Sequence, residues 1–336
     1  MKRCALFMLS ALFLLSLAAC APKSPSDCAH ALAVGVDAGE NGGYIYSFLI
    51  PSGDGGRGRV VSVSAESLGR ALSLAGTEAD AKISVSHAYI ILISLDAAEG
   101  GLSPLSESLS TGGLRPLTPA AVTRAGAAER LLSISESASG NLPDRLETLS
   151  RTPASSYAPR VTAGDITGGA PALTLPLYDG RGRGDGAVIL KDGAPPRICS
   201  RGDALILGAV TGRLPADFIN ADGIAGDGVY LRPRRPPRAG VDISGDAPVI
   251  SVSLFFYCRT DGRDDIPHIQ KRLEDGVSAF LYRCAKEYKA DVFGFSQMIR
   301  PRFLTLDALR AYGFENRFPR SRFNVTVSLS PDGGSE

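Results

Sequence analysis

The sequence predicts an α+β protein of mixed α/β character: three consecutive small domains with mixed sheets, behind an N-terminal signal peptide. Three observations support this fold class. The chain has 336 residues, which is enough for two to three domains with their own cores. Its composition, 44% hydrophobic and 21% charged, is that of a folded protein and excludes a disordered chain. Strand-like alternation and helix-like periodicity both occur along the chain.

Residues 1–19 have the pattern of a bacterial lipoprotein signal peptide. Lys2 and Arg3 precede an apolar run over residues 5–19, which is too short to span a bilayer comfortably. The run ends in Leu-Ala-Ala-Cys at Cys20, which resembles the lipobox read by the lipoprotein signal peptidase. We therefore expect diacylglycerol on the thiol of Cys20. An ordinary secretory leader that happens to contain a cysteine is the alternative.

Acyl chains on Cys20 would attach the mature chain firmly to a membrane, since each buried methylene contributes about 0.8 kcal/mol. Residues 20–28, with Pro22 and Pro25, are expected to form a short tether. No other stretch reaches 18 apolar residues, so the sequence predicts no second membrane crossing. The expected location is the outer face of the bacterial cytoplasmic membrane.

The charge balance argues against nucleic acid as a partner. The chain has 36 basic and 35 acidic residues, and removal of Lys2 and Arg3 with the leader leaves 34 basic ones. A net charge near −1 does not provide the basic surface that nucleic-acid binding requires.

Residues 29–150 are expected to form an N-terminal α/β domain. The patterns predict strands at 31–37, 44–50, 59–63 and 83–93, and helices at 66–74 and 120–137. The continuous apolar run at 88–93 is typical of a buried central strand. Residues 53–58 match G-x-G-x-x-G, but a strand follows instead of a helix, so we interpret them as a hairpin loop.

Residues 151–238 are expected to form a β-rich middle domain. Strands are predicted at 186–190 and 204–210, separated by a turn at 192–196. The domain ends in the run 232–238, which contains four arginines and three prolines and which we interpret as a stiff extended linker. Contact of these arginines with anionic lipid headgroups is the alternative.

Residues 239–330 show the clearest pattern and are expected to form a C-terminal α/β domain, followed by a tail at 331–336. A strand at 249–257 alternates, and residues 267–288 carry apolar side chains with a 3.6-residue period, which predicts a long amphipathic helix. A short helix at 304–311 and a final strand at 323–329 complete the domain.

The sequence contains no recognisable catalytic or metal-binding motif, and we expect no enzyme and no cofactor. The three histidines are far apart, and His87 is more simply a hydrogen-bonded residue at the edge of the core than a general base. The cysteine spacing excludes zinc knuckles and C-x-x-C pairs, while a disulfide between Cys258 and Cys284 stays open. Such a chain is most easily a binding or assembly subunit.

Several segments resemble the Ger(x)C family of spore germination lipoproteins, the C subunits of nutrient germinant receptors. The strongest likeness is Lys-Ala-Asp-Val-Phe-Gly-Phe at 289–295, followed by Arg-Pro-Arg-Phe at 300–303. Residues 33–37 are similar to an early strand that ends in aspartate, residues 86–93 to a strand that begins Ser-His, and residues 186–192 to a later strand and turn. The motif order matches over nearly all of the mature chain.

The resemblance implies a lipoprotein on the outer face of the spore's inner membrane, without known enzymatic activity, assembled with the integral-membrane A and B subunits. It also implies a structural or partner-contacting role for Asp291, Phe293, Gly294 and Phe295. We expect Asp291 and Gly294 to shape a tight helix-to-loop turn. The two phenylalanines are expected to alternate between the core and a partner-facing groove, and His87 belongs to the similar strand at 86–93.

Three other functions compete with this one. A substrate-binding lipoprotein of an ABC transporter needs two lobes of repeated βα units, which the β-rich middle and the run at 232–238 do not favour. A lipid-anchored enzyme such as a cell-wall hydrolase lacks a recognisable base–nucleophile pair. The sequence does not distinguish a germinant-receptor subunit from an envelope scaffold that acts outside sporulation.

Overall fold

The computed structural model describes residues 28–52, 57–138, 141–151, 160–178, 184–261 and 265–332, and these residues have the predicted α+β fold with mixed sheets. The signal peptide, Cys20 and most of the tether lie outside the described residues. The strands are β1 (Cys28–His30), β2 (Ala33–Ala38), β3 (Tyr44–Pro51), β4 (Gly58–Ala65), β5 (Lys82–Ser84), β6 (Ile90–Ser94), β7 (Pro119–Thr123), β8 (Val161–Thr162), β9 (Ala172–Tyr178), β10 (Gly184–Lys191), β11 (Ala194–Cys199), β12 (Ile219–Asn220), β13 (Val229–Pro233), β14 (Arg238–Asp242), β15 (Val249–Thr260) and β16 (Arg322–Pro331).

Helices connect these strands. The α-helices are α1 (Leu68–Ala79), α2 (Leu95–Ala98), α3 (Leu102–Ser110), α4 (Ala127–Ser137), α5 (Leu142–Arg151), α6 (Ala163–Thr167), α7 (Arg201–Thr211), α8 (Ile266–Arg283), α9 (Phe295–Ile299), α10 (Leu306–Tyr312) and α11 (Phe314–Arg317). A π-helix, Cys284–Tyr288, extends α8, and short 3₁₀ turns lie at Glu40–Gly42, Arg300–Arg302 and Phe318–Arg320. Within the described residues, none of the helices is long and apolar enough to cross a membrane.

The larger sheet has nine strands in the order β11-β10-β9-β7-β6-β2-β3-β4, with β8 also paired to β7. Its four central strands, β9, β7, β6 and β2, are parallel, and antiparallel hairpins extend it on both sides. All five residues of β6 are buried, as the apolar run predicts for a central strand. Helices α1 to α3 and α6 cover one face, and α4 and α5 cover the other.

The smaller sheet is built around β15, the alternating strand that the sequence predicts. Strand β16 pairs with it in parallel from Val249 to Cys258. On the other edge, β13 and β14 follow each other end to end, both antiparallel to β15. Helix α8 packs on this sheet with Ile269, Leu273 and Phe280 buried, which confirms the predicted amphipathic helix.

The strand predicted at 204–210 is wrong, because these residues lie in helix α7. Every residue from Gly202 to Val210 is buried, so the helix shows no polar face and its apolar run resembles a buried strand. Ser200 and Asp203 form a capping box at its start, and Gly212 ends it in the left-handed conformation. These caps are the sequence signals that identify a helix here.

Two further predicted elements are each divided in the structure. Residues 83–93 form β5 and β6 with a turn between them, and residues 120–137 form β7 followed by α4. In the second case, the spacing between Val122 and the apolar residues of α4 is that of a helix, although Val122 belongs to a buried parallel strand. The interpretation of residues 53–58 as a hairpin loop agrees with the antiparallel pairing of β3 and β4, while residues 53–56 themselves lie outside the described part.

The run 232–238 is not a free linker. Arg232 and Pro233 belong to β13, and β14 starts at Arg238. Between them, the N–H of Arg234 donates to the carbonyl of Phe255 at 2.9 Å, so the run stays on the edge of β15. Prolines are tolerated there because an edge strand has one side without ladder hydrogen bonds.

The strands of residues 151–238 are divided between the two larger sheets. Strands β9 to β11 extend the nine-stranded sheet, and β12 and β13 belong to the sheet of β15. Helix α7 contributes to the core cluster that also contains residues of β10 and α8, so this cluster joins the two sheets. The boundaries of the three domains stay a prediction.

Candidate functional site

The turn at 289–295 reverses the chain after the long helix. Lys289 ends the π-helix with φ 49°, and Gly294 has φ 77°, a left-handed conformation that glycine adopts without steric penalty. The carboxylate of Asp291 accepts hydrogen bonds from the N–H of Phe295 at 3.1 Å and of Ser296 at 2.7 Å. Asp291 therefore holds the start of α9, and we call residues 289–295 the signature turn.

Both phenylalanines of the signature turn lie in the core. Phe293 is 7% exposed and Phe295 is fully buried, and their rings stack with centroids 5.3 Å apart. Phe293 also contacts Phe280 edge to face, and Phe295 contacts Phe318. Phe293 also lines the groove described below, whereas Phe295 does not. The expected alternation between the core and a partner-facing groove stays a prediction.

Two more aspartates from the segments that resemble the family bind helix N-termini in the same way. Asp37, at the end of β2, accepts from the N–H groups of Ala127 and Ala128 of α4 at 2.6 and 2.9 Å. Asp192, in the turn after β10, accepts from the N–H groups of Leu102 and Ser103 of α3 at 2.8 and 2.7 Å.

The hydroxyl of Ser103 also donates to Asp192. These bonds from Ser103 and Leu102 lower the pKa of the Asp192 carboxyl. We call Asp37, Asp192 and Asp291 the capping aspartates. Each places negative charge where a helix has unpaired N–H groups and positive dipole charge.

A groove of about 380 Å³ lies between the signature turn, the end of α7 and the chain before β9. Its polar lining includes Asp165, Thr174, Arg213, Asp291 and Gln297. The hydroxyl of Thr174 is buried and has no hydrogen-bond partner among the described residues. In the part of the chain that the structure describes, no histidine or cysteine lines this groove. We call it the signature groove; its chemistry suits hydrogen bonding to a polar group.

A partly buried ion pair links helix α7 to helix α8, and neither of its residues lines the signature groove. Asp203, at the start of α7 and 8% exposed, accepts from Arg283 in the last turn of α8 at 2.6 Å. The pair joins the two helices directly. The Arg283 side chain is 37% exposed, so water partly screens this pair.

The described cysteines Cys28, Cys199, Cys258 and Cys284 are free thiols, so the disulfide between Cys258 and Cys284 is not formed. Burial raises the pKa of Cys199 to about 12 and raises the pKa of Cys284 as well. Both thiols therefore stay protonated and unreactive at neutral pH.

His87 lies apart from the signature groove. It is exposed in the turn before β6 and contacts His30 edge to face, with ring centroids 5.1 Å apart. Its Nδ1 is 3.4 Å from a guanidinium nitrogen of Arg115. The strand predicted at 83–93 does not include His87, because β6 begins only at Ile90, while the contact with Arg115 agrees with the expected hydrogen-bonded residue.

The run 232–238, which we call the arginine segment, borders a second groove of about 320 Å³ with the end of α7 and β15. Arg232 lies over the rings of Phe218 and Tyr257 and pairs with Asp332 at 2.9 Å. The guanidinium carbon of Arg235 lies 3.5 Å from the ring centre of Phe255. This segment therefore presents positive charge on a fixed framework.

No local sequence signal identifies Asp37 and Asp192 as helix caps, because their helices lie about 90 residues away. The pairing of the arginine segment with β15 likewise has no local sequence signal. Only the local signals, such as Asp291 beside Gly294 and the capping box at 200–203, were available in the sequence.

Two comparisons relate this chain to known proteins. Residues 23–169 match the family model of the spore germination protein N-terminal domain. The crystal structure of the GerBC protein is similar in fold, with a TM-score of 0.52 and 14% sequence identity; the match covers 88% of this chain and 96% of that chain. A search of curated proteins gives no match.

Proposed function

The chain belongs to the Ger(x)C family of spore germination proteins, and from that premise we propose that it is the C subunit of a nutrient germinant receptor, required for nutrient-triggered germination. The observation that carries the proposal is the family match over residues 23–169. The fold shared with the GerBC protein over most of both chains supports it. In this role the protein acts by assembly and not by catalysis.

The proposed attachment to the membrane is through diacylglycerol on Cys20. Support comes from the charged start, the apolar run and the Leu-Ala-Ala-Cys sequence that ends at Cys20. The acyl chains would hold the folded body on the outer face of the membrane that surrounds the spore interior. There it meets the proposed partners, the integral-membrane A and B subunits.

We propose the signature groove as the contact with these subunits. Its capping carboxylate Asp291 is already bonded to backbone groups, and Nη1 of Arg213 donates to the carbonyl of Arg160 at 3.4 Å. The hydroxyl of Thr174 and the other guanidinium nitrogen atoms of Arg213 are therefore the groups that we propose for a partner. Met298, 44% exposed on the rim, adds flexible apolar surface of a kind common at binding surfaces. A polar side chain from a partner would satisfy the buried hydroxyl.

The test is nutrient-triggered germination of spores that lack this gene or carry Cys20→Ala, with a non-nutrient trigger as control. We expect loss of the response to one set of nutrients in both strains, while the control trigger works normally. Co-purification of the A and B subunits in detergent should fail in the deletion strain and succeed with the wild-type chain. Normal germination together with no co-purifying membrane subunit would contradict the proposal.

The rival function, a substrate-binding lipoprotein of an ABC transporter, is less well supported. It requires two similar lobes of βα units around a cleft. The described residues instead form a nine-stranded mixed sheet and a mainly antiparallel sheet of five strands. A small molecule that stays bound to the isolated chain through purification would favour the rival.

A further inference from the structure

The arginine segment is held rigidly at the surface of the smaller sheet. It is anchored before and after by the pairing of β13 and β14 with β15, and in its middle by the bond from the N–H of Arg234 to Phe255. Pro236 and Pro237 restrict the backbone between these anchors. Its side chains therefore project from fixed positions, unlike those of a mobile linker.

Three arginines of this segment have no acidic partner. Arg234, Arg235 and Arg238 are exposed, and among the described residues none of them forms an ion pair. Arg234 donates instead to the hydroxyls of Ser330 and Ser328. By contrast, Arg232 of the same segment is neutralised by Asp332.

The three charges are also close enough to repel each other. Partial desolvation and the neighbouring charges of Arg238 and Arg234 lower the pKa of Arg235. Like charges held together by a rigid backbone oppose folding slightly and are relieved by an external anion. The cluster is therefore suited to a partner that is negatively charged.

We propose that Arg234, Arg235 and Arg238 form a docking surface for the anionic phospholipid headgroups of the membrane. The inference rests on the proposed lipid anchor at Cys20. Residues 20–28 span at most about 30 Å when fully extended, so the anchor keeps the folded body beside the membrane surface. An anionic surface attracts each nearby arginine without a fixed geometry.

The geometry favours a lipid surface over an acidic protein segment. Binding of a carboxylate by arginine is strongest when the flat fork of the guanidinium is free for two parallel hydrogen bonds. The fork of Arg234 already bonds two serines, and the guanidinium of Arg235 lies against Phe255. A diffuse negative surface needs only their charge.

The test uses the mature chain from residue 20 with Cys20→Ser, which removes the acyl chains and leaves the described residues intact. Sedimentation with phosphatidylcholine vesicles, with or without phosphatidylglycerol, measures partitioning. We expect binding to the anionic vesicles alone. The triple variant Arg234→Gln, Arg235→Gln, Arg238→Gln should bind about a hundred-fold more weakly, at roughly a factor of five per arginine.

Two control variants define what the surface recognises. Lysine at the same three positions should keep binding within a few-fold, because a membrane surface responds to charge. Glutamine at the exposed Arg70, Arg145 and Arg310 removes the same charge elsewhere and should change binding only a few-fold. Circular dichroism and thermal unfolding must match wild type in every variant used.

Equal partitioning of the wild type and the glutamine triple variant would overturn the proposal, and so would equal binding to neutral vesicles. Binding of polyglutamate that depends on the three arginines, without binding to anionic vesicles, would assign the surface to an acidic protein segment instead. Because the tested chain is not acylated, either failure leaves the germination phenotype of Cys20→Ala, and thus the proposed function, unaffected.

Discussion

The capping aspartates lie at the ends of strands or helices and the arginine segment bridges β13 and β14, and the charged side chains of these two groups contact different things. The carboxylates of Asp37 and Asp291 each accept hydrogen bonds from two backbone N–H groups, so these carboxylates stabilise the fold. The guanidinium groups of Arg235 and Arg238 bond no carboxylate among the described residues and face solvent. The capping aspartates stabilise the fold, whereas the arginines remain available to bind a partner.

This difference separates residues that hold the fold from residues that can contact a partner. The segments with the clearest likeness to the family contain the capping aspartates and the buried rings of the signature turn. Family likeness therefore points mainly to folding here. The arginine segment, which carries no such likeness, offers the exposed charge.

The largest expected effect is that of Phe295→Ala. Phe295 is fully buried against Phe293 and Phe318, so its loss opens a cavity and should lower the free energy of unfolding by roughly 3–5 kcal/mol. Urea unfolding measures this change. Leu304→Ala, at a fully exposed position of the next loop, is the control and should alter stability by less than about 0.5 kcal/mol. Similar small effects of both would place Phe295 outside the core.

The second-largest loss of stability is expected when a capping carboxylate is removed. Asp37→Ala and Asp291→Ala each lose two charge-assisted hydrogen bonds to helix N-termini, and each should cost about 2 kcal/mol in unfolding free energy. Asp307→Ala, whose carboxylate is exposed and 3.6 Å from Arg310, is the matched control. In cells, an Asp291→Ala protein with normal level and normal receptor assembly would contradict the role of the signature turn.

The third capping aspartate, Asp192, should make the stability of the protein depend on pH. The pKa of Asp192 is lowered in the folded protein by its bonds to Ser103 and Leu102. Its contribution to stability is therefore present above the unfolded carboxyl pKa, near 4, and is lost as the pH falls through the folded value. Comparison of wild type with Asp192→Asn by urea unfolding should show a stability gap at neutral pH that shrinks in acid. A gap that is constant with pH would contradict this cause.

The smallest effect on stability is expected in the arginine segment. Replacement of Arg234, Arg235 and Arg238 by glutamine removes exposed charges that form no ion pair with any described residue, so the free energy of unfolding should change by no more than about 0.5 kcal/mol. Thermal unfolding checks this. A large loss of stability would show that the segment holds the fold, as the capping aspartates do.

The sequence predicts correctly those elements whose pattern lies within their own residues. The alternation of β15 and the 3.6-residue period of α8 come from burial of one face, and both are found close to their predicted positions. The pairing of Asp291 with a left-handed Gly294 is also local, within a few residues of the helix end.

The remaining features depend on contacts between distant residues. Helix α7 is buried on all sides, so its residues carry no amphipathic signal and resemble a strand. Asp37 caps a helix that begins 90 residues later, which no local pattern indicates. The arginine segment resembles a linker because its prolines exclude helix, while its place on β15 is a property of the sheet.

The most direct test of this account measures protein level and nutrient-triggered germination together in spores that carry either Phe295→Ala or the glutamine triple variant at 234, 235 and 238. We expect Phe295→Ala to lower germination in proportion to its lowered protein level. The triple variant should keep a normal level and germinate more slowly. A triple variant that germinates at the wild-type rate, or a Phe295→Ala protein at normal level without germination, would contradict the account.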